Sequence, residues 1–141
     1  MGMPAATLTD QVIGNCLHTY QSTTPSPAGP VPTPVPMPLP FMGQIVGPGA
    51  PTVLIGGKPA SVMGDNVVNM AIHPPVGGAA IPGPAVPPAT NQSTIVQGSA
   101  TVLAGGKPMV RMGDQSAPTC GLVPGGGPAK VIGTGVTVLI G

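Results

Sequence analysis

Tryptophan is absent from this chain, and tyrosine and phenylalanine occur once each. So few rings offer no stacking platform for bases, and four Lys and Arg residues are too few to neutralise a run of phosphates, which excludes nucleic acid as a partner. Charge of either sign is scarce: seven of 141 residues carry one, for a net charge of +1. A polar catalytic constellation has little to be built from. No apolar run approaches the roughly 20 residues of a membrane-spanning helix, so stable membrane insertion is not expected. The opening MGMPAATLTDQ lacks a basic region followed by an apolar one, which predicts cytosolic synthesis without a secretion signal. Ala6 also stands where a myristoylation pattern requires Ser or Thr.

Helix is nearly excluded. Gly and Pro together supply 45 residues (23 plus 22), and the longest stretch free of both, Asn15 to Thr24, is rich in mediocre helix formers. That much Gly and Pro without a period usually means disorder. Yet 41% of the residues are hydrophobic and only 5% charged, the reverse of a disordered composition. Residue order decides between the two.

The order repeats. PTVLIGGKPASVMGD (51 to 65) aligns without a gap on ATVLAGGKPMVRMGD (100 to 114), at an offset of 114 − 65 = 49. Half-copies stand at the two ends: PAATLTD (4 to 10) matches PASVMGD (59 to 65), and VTVLIG (136 to 141) matches the front of the unit. Three consecutive units follow, which argues for order. The TVLI and TVLA runs read as short buried strands, and each Gly-Gly pair supplies the positive φ of a tight hairpin. The expected fold is all-β: a small conical, pseudo-threefold arrangement of β-hairpin units, a single domain over residues 1–141. The segment at 24–40, with Pro at every second position from Pro30 to Pro40, reads as an inserted polyproline-like surface loop. Asp10, Asp65 and Asp114 recur at the end of each unit and read as turn organisers. The eight Met residues read as filler for a small core. Lys58 and Lys107 are each followed by Pro, so GGKP is not a phosphate-binding loop.

The opening PAA, the GAPTVLIGGKPASVMGD and GSATVLAGGKPMVRMGD units and the closing GVTVLIG resemble the PAAR domain across essentially the whole chain. This is the conical tip protein of type VI secretion and related contractile injection machines. The resemblance implies a structural protein and not an enzyme. It would seat on a trimeric spike of the VgrG type, sharpen it for membrane puncture and attach effector or adaptor proteins. It would be assembled in the bacterial cytoplasm and ejected on firing. The chain reads as a bare tip or adaptor, with nothing toxin-like after Gly141. A small secreted effector with its own activity, and a passive low-complexity linker, are the readings it competes with.

The resemblance also implies a structural metal held by His and Cys residues in the loops that follow each Asp. Every Cys and His of this chain falls at one of two offsets: 16 − 10 = 6 and 120 − 114 = 6 for the cysteines, 18 − 10 = 8 and 73 − 65 = 8 for the histidines. Cys16, His18, His73 and Cys120 are therefore the expected ligands. Two thiolates and two imidazoles suit tetrahedral zinc in a closed structural site, with iron as the other candidate. A Cys-x-His pair must bend sharply to bring both side chains to one ion, which makes Cys16 the expected ligand with the least support. A Cys16–Cys120 disulfide is the alternative, and cytosolic synthesis favours reduced thiols.

Overall fold

The computed structural model describes residues 2–73, 83, 90–117, 119–121, 128–132 and 138–141. In chain order its strands are β1 (Met3–Pro4), β2 (Gln11–Thr24), β3 (Val31–Gly47), β4 (Ala50–Ile55), β5 (Lys58–Ala60) and β6 (Asn66–Asn69). They continue as β7 (Gln92–Thr94), β8 (Leu103–Ala104), β9 (Lys107–Pro108), β10 (Gln115–Ser116), β11 (Ala129–Ile132) and β12 (Leu139–Ile140). The one helical turn among the described residues is a 3-10 turn at Thr119–Gly121. The fold is all-β, as expected.

The repeated phrase makes a hairpin twice. β4 pairs with β5 through Leu54↔Pro59 and Ile55↔Lys58, and β8 pairs with β9 through Leu103↔Pro108 and Ala104↔Lys107. Both central glycines of each turn have positive φ, 59° and 82° at Gly56 and Gly57, and 58° and 81° at Gly105 and Gly106. Two consecutive positive φ values suit the twist of a tight hairpin, and glycine adopts them without steric cost. The third copy is made by the two ends of the chain. β12 pairs with β1 as Leu139↔Pro4 and Ile140↔Met3, the register of the other two.

A ring of hydrogen bonds joins the units. Ala6 N–H donates to Val110 O (2.9 Å), Val110 N–H to Ser61 O (2.9 Å) and Ser61 N–H to Ala6 O (3.0 Å). Isolated bridges repeat the cycle at Ala5↔Arg111, Thr7↔Ala60 and Val62↔Met109. Each unit then turns at its Asp. Asp10, Asp65 and Asp114, all buried, accept the backbone N–H three residues earlier: Thr7 at 2.9 Å, Val62 at 2.9 Å and Arg111 at 2.8 Å. The residue before each Asp has positive φ (Thr9 76°, Gly64 98°, Gly113 92°), so the expected turn role of these carboxylates is observed.

From each Asp turn a strand leaves to form the barrel-like sheet, in the order β10-β11-β2-β3-β6-β7. The sheet nearly closes on itself through the Ile95↔Ser116 bridge between its two edges. Inside lies a cluster that includes Val12, Phe41, Ile45, Val67, Ile95, Val110 and Val131 with both cysteines. A second cluster of Ala5, Ala50, Ile55, Ala60, Val62, Ala104, Met109 and Ile140 fills the space under the three hairpins. Ile45, Ile95 and Val131 occupy the same place in their units. Each accepts the N–H preceding an Asp and donates to that Asp's carbonyl.

Three sequence expectations change. The proline-rich segment is a free loop only to Pro30; from Val31 it is strand β3, paired residue for residue with β2 from Thr24↔Val31 to Gln11↔Gln44. Proline at every second position makes this possible, because alternate residues of a strand direct N–H and C=O to opposite edges. Val31, Thr33, Val35, Met37 and Leu39 keep the N–H groups that bond β2, while the five prolines from Pro32 to Pro40 face the other edge, where no N–H is needed. The TVLI runs are buried on one face only, their leucines standing in solvent. Finally, Met109 is the one methionine of the described core clusters, whereas Met3, Met42, Met63, Met70 and Met112 are exposed.

Candidate metal centre

Strand β2 carries half of the site. Residues two apart on a strand face the same way, and Val12, Cys16, His18 and Tyr20 are all buried on the inner face of β2 while Ile13, Asn15 and Leu17 are exposed. The Cys-x-His spacing therefore needs no bend; the pleat itself aims both side chains inward. The expectation that all ligands sit in loops holds for His73, just beyond β6, and for Cys120, in the 3-10 turn beyond β10. It fails for Cys16 and His18, because pairing with β3 extends β2 past the body of the sheet. Gly14 lets β2 lie close to β11: a Cβ there would meet the Cα of Ala129 at 2.8 Å.

All four expected residues come together, and all four are buried. One donor atom from each lies within 4.8 Å of the others. Cys16 and Cys120 are joined by a disulfide, so the expected reduced thiols are not what the structure holds. Cys120 has φ 57°, a left-handed conformation that costs a non-glycine residue about 1–3 kcal/mol and is kept where surrounding contacts impose it. Around it, Thr119 Oγ1 donates to Asn15 O (3.1 Å) and Thr90 N–H to Cys120 O (3.1 Å).

The hydrogen bonds assign the imidazole protons. His73 Nε2 lies 2.6 Å from the carbonyl oxygen of Pro40, which can only accept, so Nε2 carries the proton and Nδ1 is bare. Asn69 Nδ2 also lies near Nε2, at 3.2 Å, but its two N–H groups are directed to Ala71 O and Asn91 Oδ1. The bare Nδ1 faces His18 Nε2 at 2.7 Å and Cys120 Sγ at 3.2 Å. A backbone carbonyl that fixes the tautomer and turns the other nitrogen toward a shared point is the usual outer support of a metal-binding histidine.

His18 differs: its buried Nδ1, the nitrogen turned away from His73, has no hydrogen-bond partner among the described residues. Burial first, and His73 second, lower its pKa from the ordinary 6.5, which keeps the ring neutral and able to give a lone pair. Tyr20, its ring centre 6.1 Å from that of His18, has its hydroxyl pKa raised by burial.

The donor set fits a metal ion. Tetrahedral zinc with bonds of about 2.0–2.3 Å places its ligand atoms about 3.3–3.8 Å apart. The nitrogen pair at 2.7 Å and the sulfur to nitrogen pair at 3.2 Å reach that span by moving apart less than about 1 Å. What stands between the two histidines now is one proton, and a cation would replace it. The cysteines must first be reduced to thiolates.

Sequence reasoning named the four residues that come together and missed those that hold them, Pro40, Asn69, Asn91 and Thr119. No signal marked them. Asn69 stands four residues after Asp65, where the other units have Gly14 and Pro118, so the repeat does not expose it.

Residues 41–124 match the family model described as the PAAR motif. No curated protein matches the chain.

Proposed function

Since the chain belongs to the PAAR-motif family, we propose that it caps a trimeric spike protein of the VgrG type in a contractile injection machine. One observation carries the docking surface. Leu54, Leu103 and Leu139 occupy the same position in the three hairpins and are 61%, 59% and 62% exposed. Three equivalent apolar side chains on one pseudo-threefold body complement the end of a threefold-symmetric partner, which presents each of them with the same surface. Along each unit the hairpin and the ligand-bearing segment lie on opposite sides of the Asp turn, so the end that docks is not the end that holds the metal.

The ion is zinc, and its role is structural. Four protein donors leave no position for water or substrate, and one ion would tie β2 of the first unit to His73 of the second and Cys120 of the third. A core with one phenylalanine and one tyrosine has little else to resist load along the spike, whereas metal binding adds directly to folding free energy. The protein is made in the cytoplasm and leaves it on firing, with effector or adaptor proteins attached.

Co-purification with a VgrG-type trimer tests the docking. One chain should bind per trimer, and the combined change Leu54→Asp, Leu103→Asp and Leu139→Asp should abolish the complex while leaving the melting midpoint of the free chain unchanged, because all three side chains are exposed. Retention of the complex by the triple variant would refute the docking face. Elemental analysis of the reduced protein tests the ion: full zinc occupancy and unaltered thermal stability in Cys120→Ser would refute the site.

A further inference from the structure

The two cysteine sulfurs belong to two arrangements that exclude one another. As a disulfide they join β2 to the 3-10 turn, across a sequence separation of 104. As thiolates they complete, with His18 and His73, a set of four donors. A sulfur in a disulfide has no thiolate charge to give a metal, so the chain holds the bond or the ion. Both are geometrically open to it. The Cα atoms of Cys16 and Cys120 are 6.3 Å apart. That spacing lies within the span of disulfides, whose sulfurs sit about 2 Å apart, and rotation of the side chains suffices for the separation of about 3.8 Å that one zinc asks of two thiolates.

We propose that Cys16 and Cys120 form a redox-exchangeable clamp: as thiolates they hold the ion with His18 and His73, and on oxidation they release it and close into the disulfide. This rests on the metal reading above. The electron balance requires an oxidant, which is a low-molecular-weight disulfide. The two thiolates lose two electrons and form the Cys16–Cys120 bond. The small disulfide takes those electrons and two protons, parts into two thiols, and the divalent ion leaves.

The histidines decide what the exchange does to the shape. Once the ion has gone, a proton links His18 Nε2 to His73 Nδ1 at 2.7 Å, and His73 stays bonded to Pro40 O and, through its N–H, to Asn91 Oδ1 at 2.9 Å. The first and third units are then tied by a covalent bond, and the second by a hydrogen bond in place of a coordinate one. The three ligand-bearing segments stay together in both states. Only the form that is reduced and stripped of metal is untied, since neither bond nor ion then holds the sulfurs. Both sulfurs are buried, so the oxidant reaches them when the zinc-bound cluster opens, and the bound ion shields the thiols.

The test uses the full chain, reduced and loaded with zinc, held in a series of reduced and oxidised glutathione mixtures. Released zinc is read with a chromophoric chelator, thiols by alkylation, and the product by intact mass. One zinc should leave for every two thiols lost, giving a chain lighter by two hydrogens, and reductant with zinc should restore both. In either His73→Ala or His18→Ala, where the shield is weakened, thiols should oxidise about tenfold faster or more. Disulfide formation with zinc retained would overturn the exchange, as would zinc uptake by a chain whose thiols stay reduced in every mixture. A reduced chain that takes up no zinc would instead overturn the metal reading, and the exchange with it.

Discussion

His73 donates its Nε2 proton to the carbonyl of Pro40, 2.6 Å away on the neighbouring strand, and so presents a bare Nδ1 to His18 and Cys120. The proline-rich strand is thus part of the support of the cluster. That support extends to Asn69, which is buried, accepts Met42 N–H (3.0 Å) and donates to Ala71 O and Asn91 Oδ1.

Replacing Asn69 by Leu should weaken zinc binding by about 10- to 100-fold, because the 69–73 turn loses the bonds that aim His73 while all four ligands remain. Competition against a chromophoric chelator reads this directly. Unchanged affinity would separate the turn from the site.

The Asp turns set the framework. Asp65 Oδ2 accepts Val62 N–H and Ser61 Oγ–H, each at 2.9 Å, and Oδ1 accepts Gly49 N–H at 2.9 Å. Asp65→Ala leaves those donors unsatisfied in a buried place and should cost about 2–4 kcal/mol in denaturant unfolding.

Acid should loosen the metal-free protein through His18. Burial and the neighbouring His73 lower its folded-state pKa from 6.5, so the unfolded chain binds the proton more readily. The stability linked to His18 is complete above pH 6.5 and is lost as pH falls through the lowered folded-state value. Unfolding followed from pH 7.5 downward should show this decline, and His18→Gln should remove that part of it.

The prolines of β3 remove donors from an exposed edge. Pro34→Val with Pro36→Val adds two N–H groups there at a cost of about 0.5–1 kcal/mol per site. The folded variant should self-associate at concentrations where the parent chain is monomeric by light scattering, since an edge with free donors accepts another strand.

What the sequence by itself determined follows from periodicity. Gly-Gly between TVLI and KP supplies a tight turn, and the recurring Asp marks where each unit bends, although only two of the three are preceded by Gly and Thr9 takes the positive φ in the first. Equal offsets from that Asp pick out all four donors of the candidate metal centre. Tertiary structure decided what a repeat does not encode. A run of alternating prolines is a loop or a strand according to whether a partner offers an edge that needs only every second N–H, and β2 does so here. That pairing extends β2, places Cys16 and His18 on one face without a bend, and sets the Pro40 carbonyl against His73. That the single leucine of each hairpin faces solvent, and that β1 and β12 close the third hairpin, likewise depend on the units meeting around a common axis. Local sequence specifies each unit; the ring of hydrogen bonds through Ala6, Ser61 and Val110 exists only when all three are folded together.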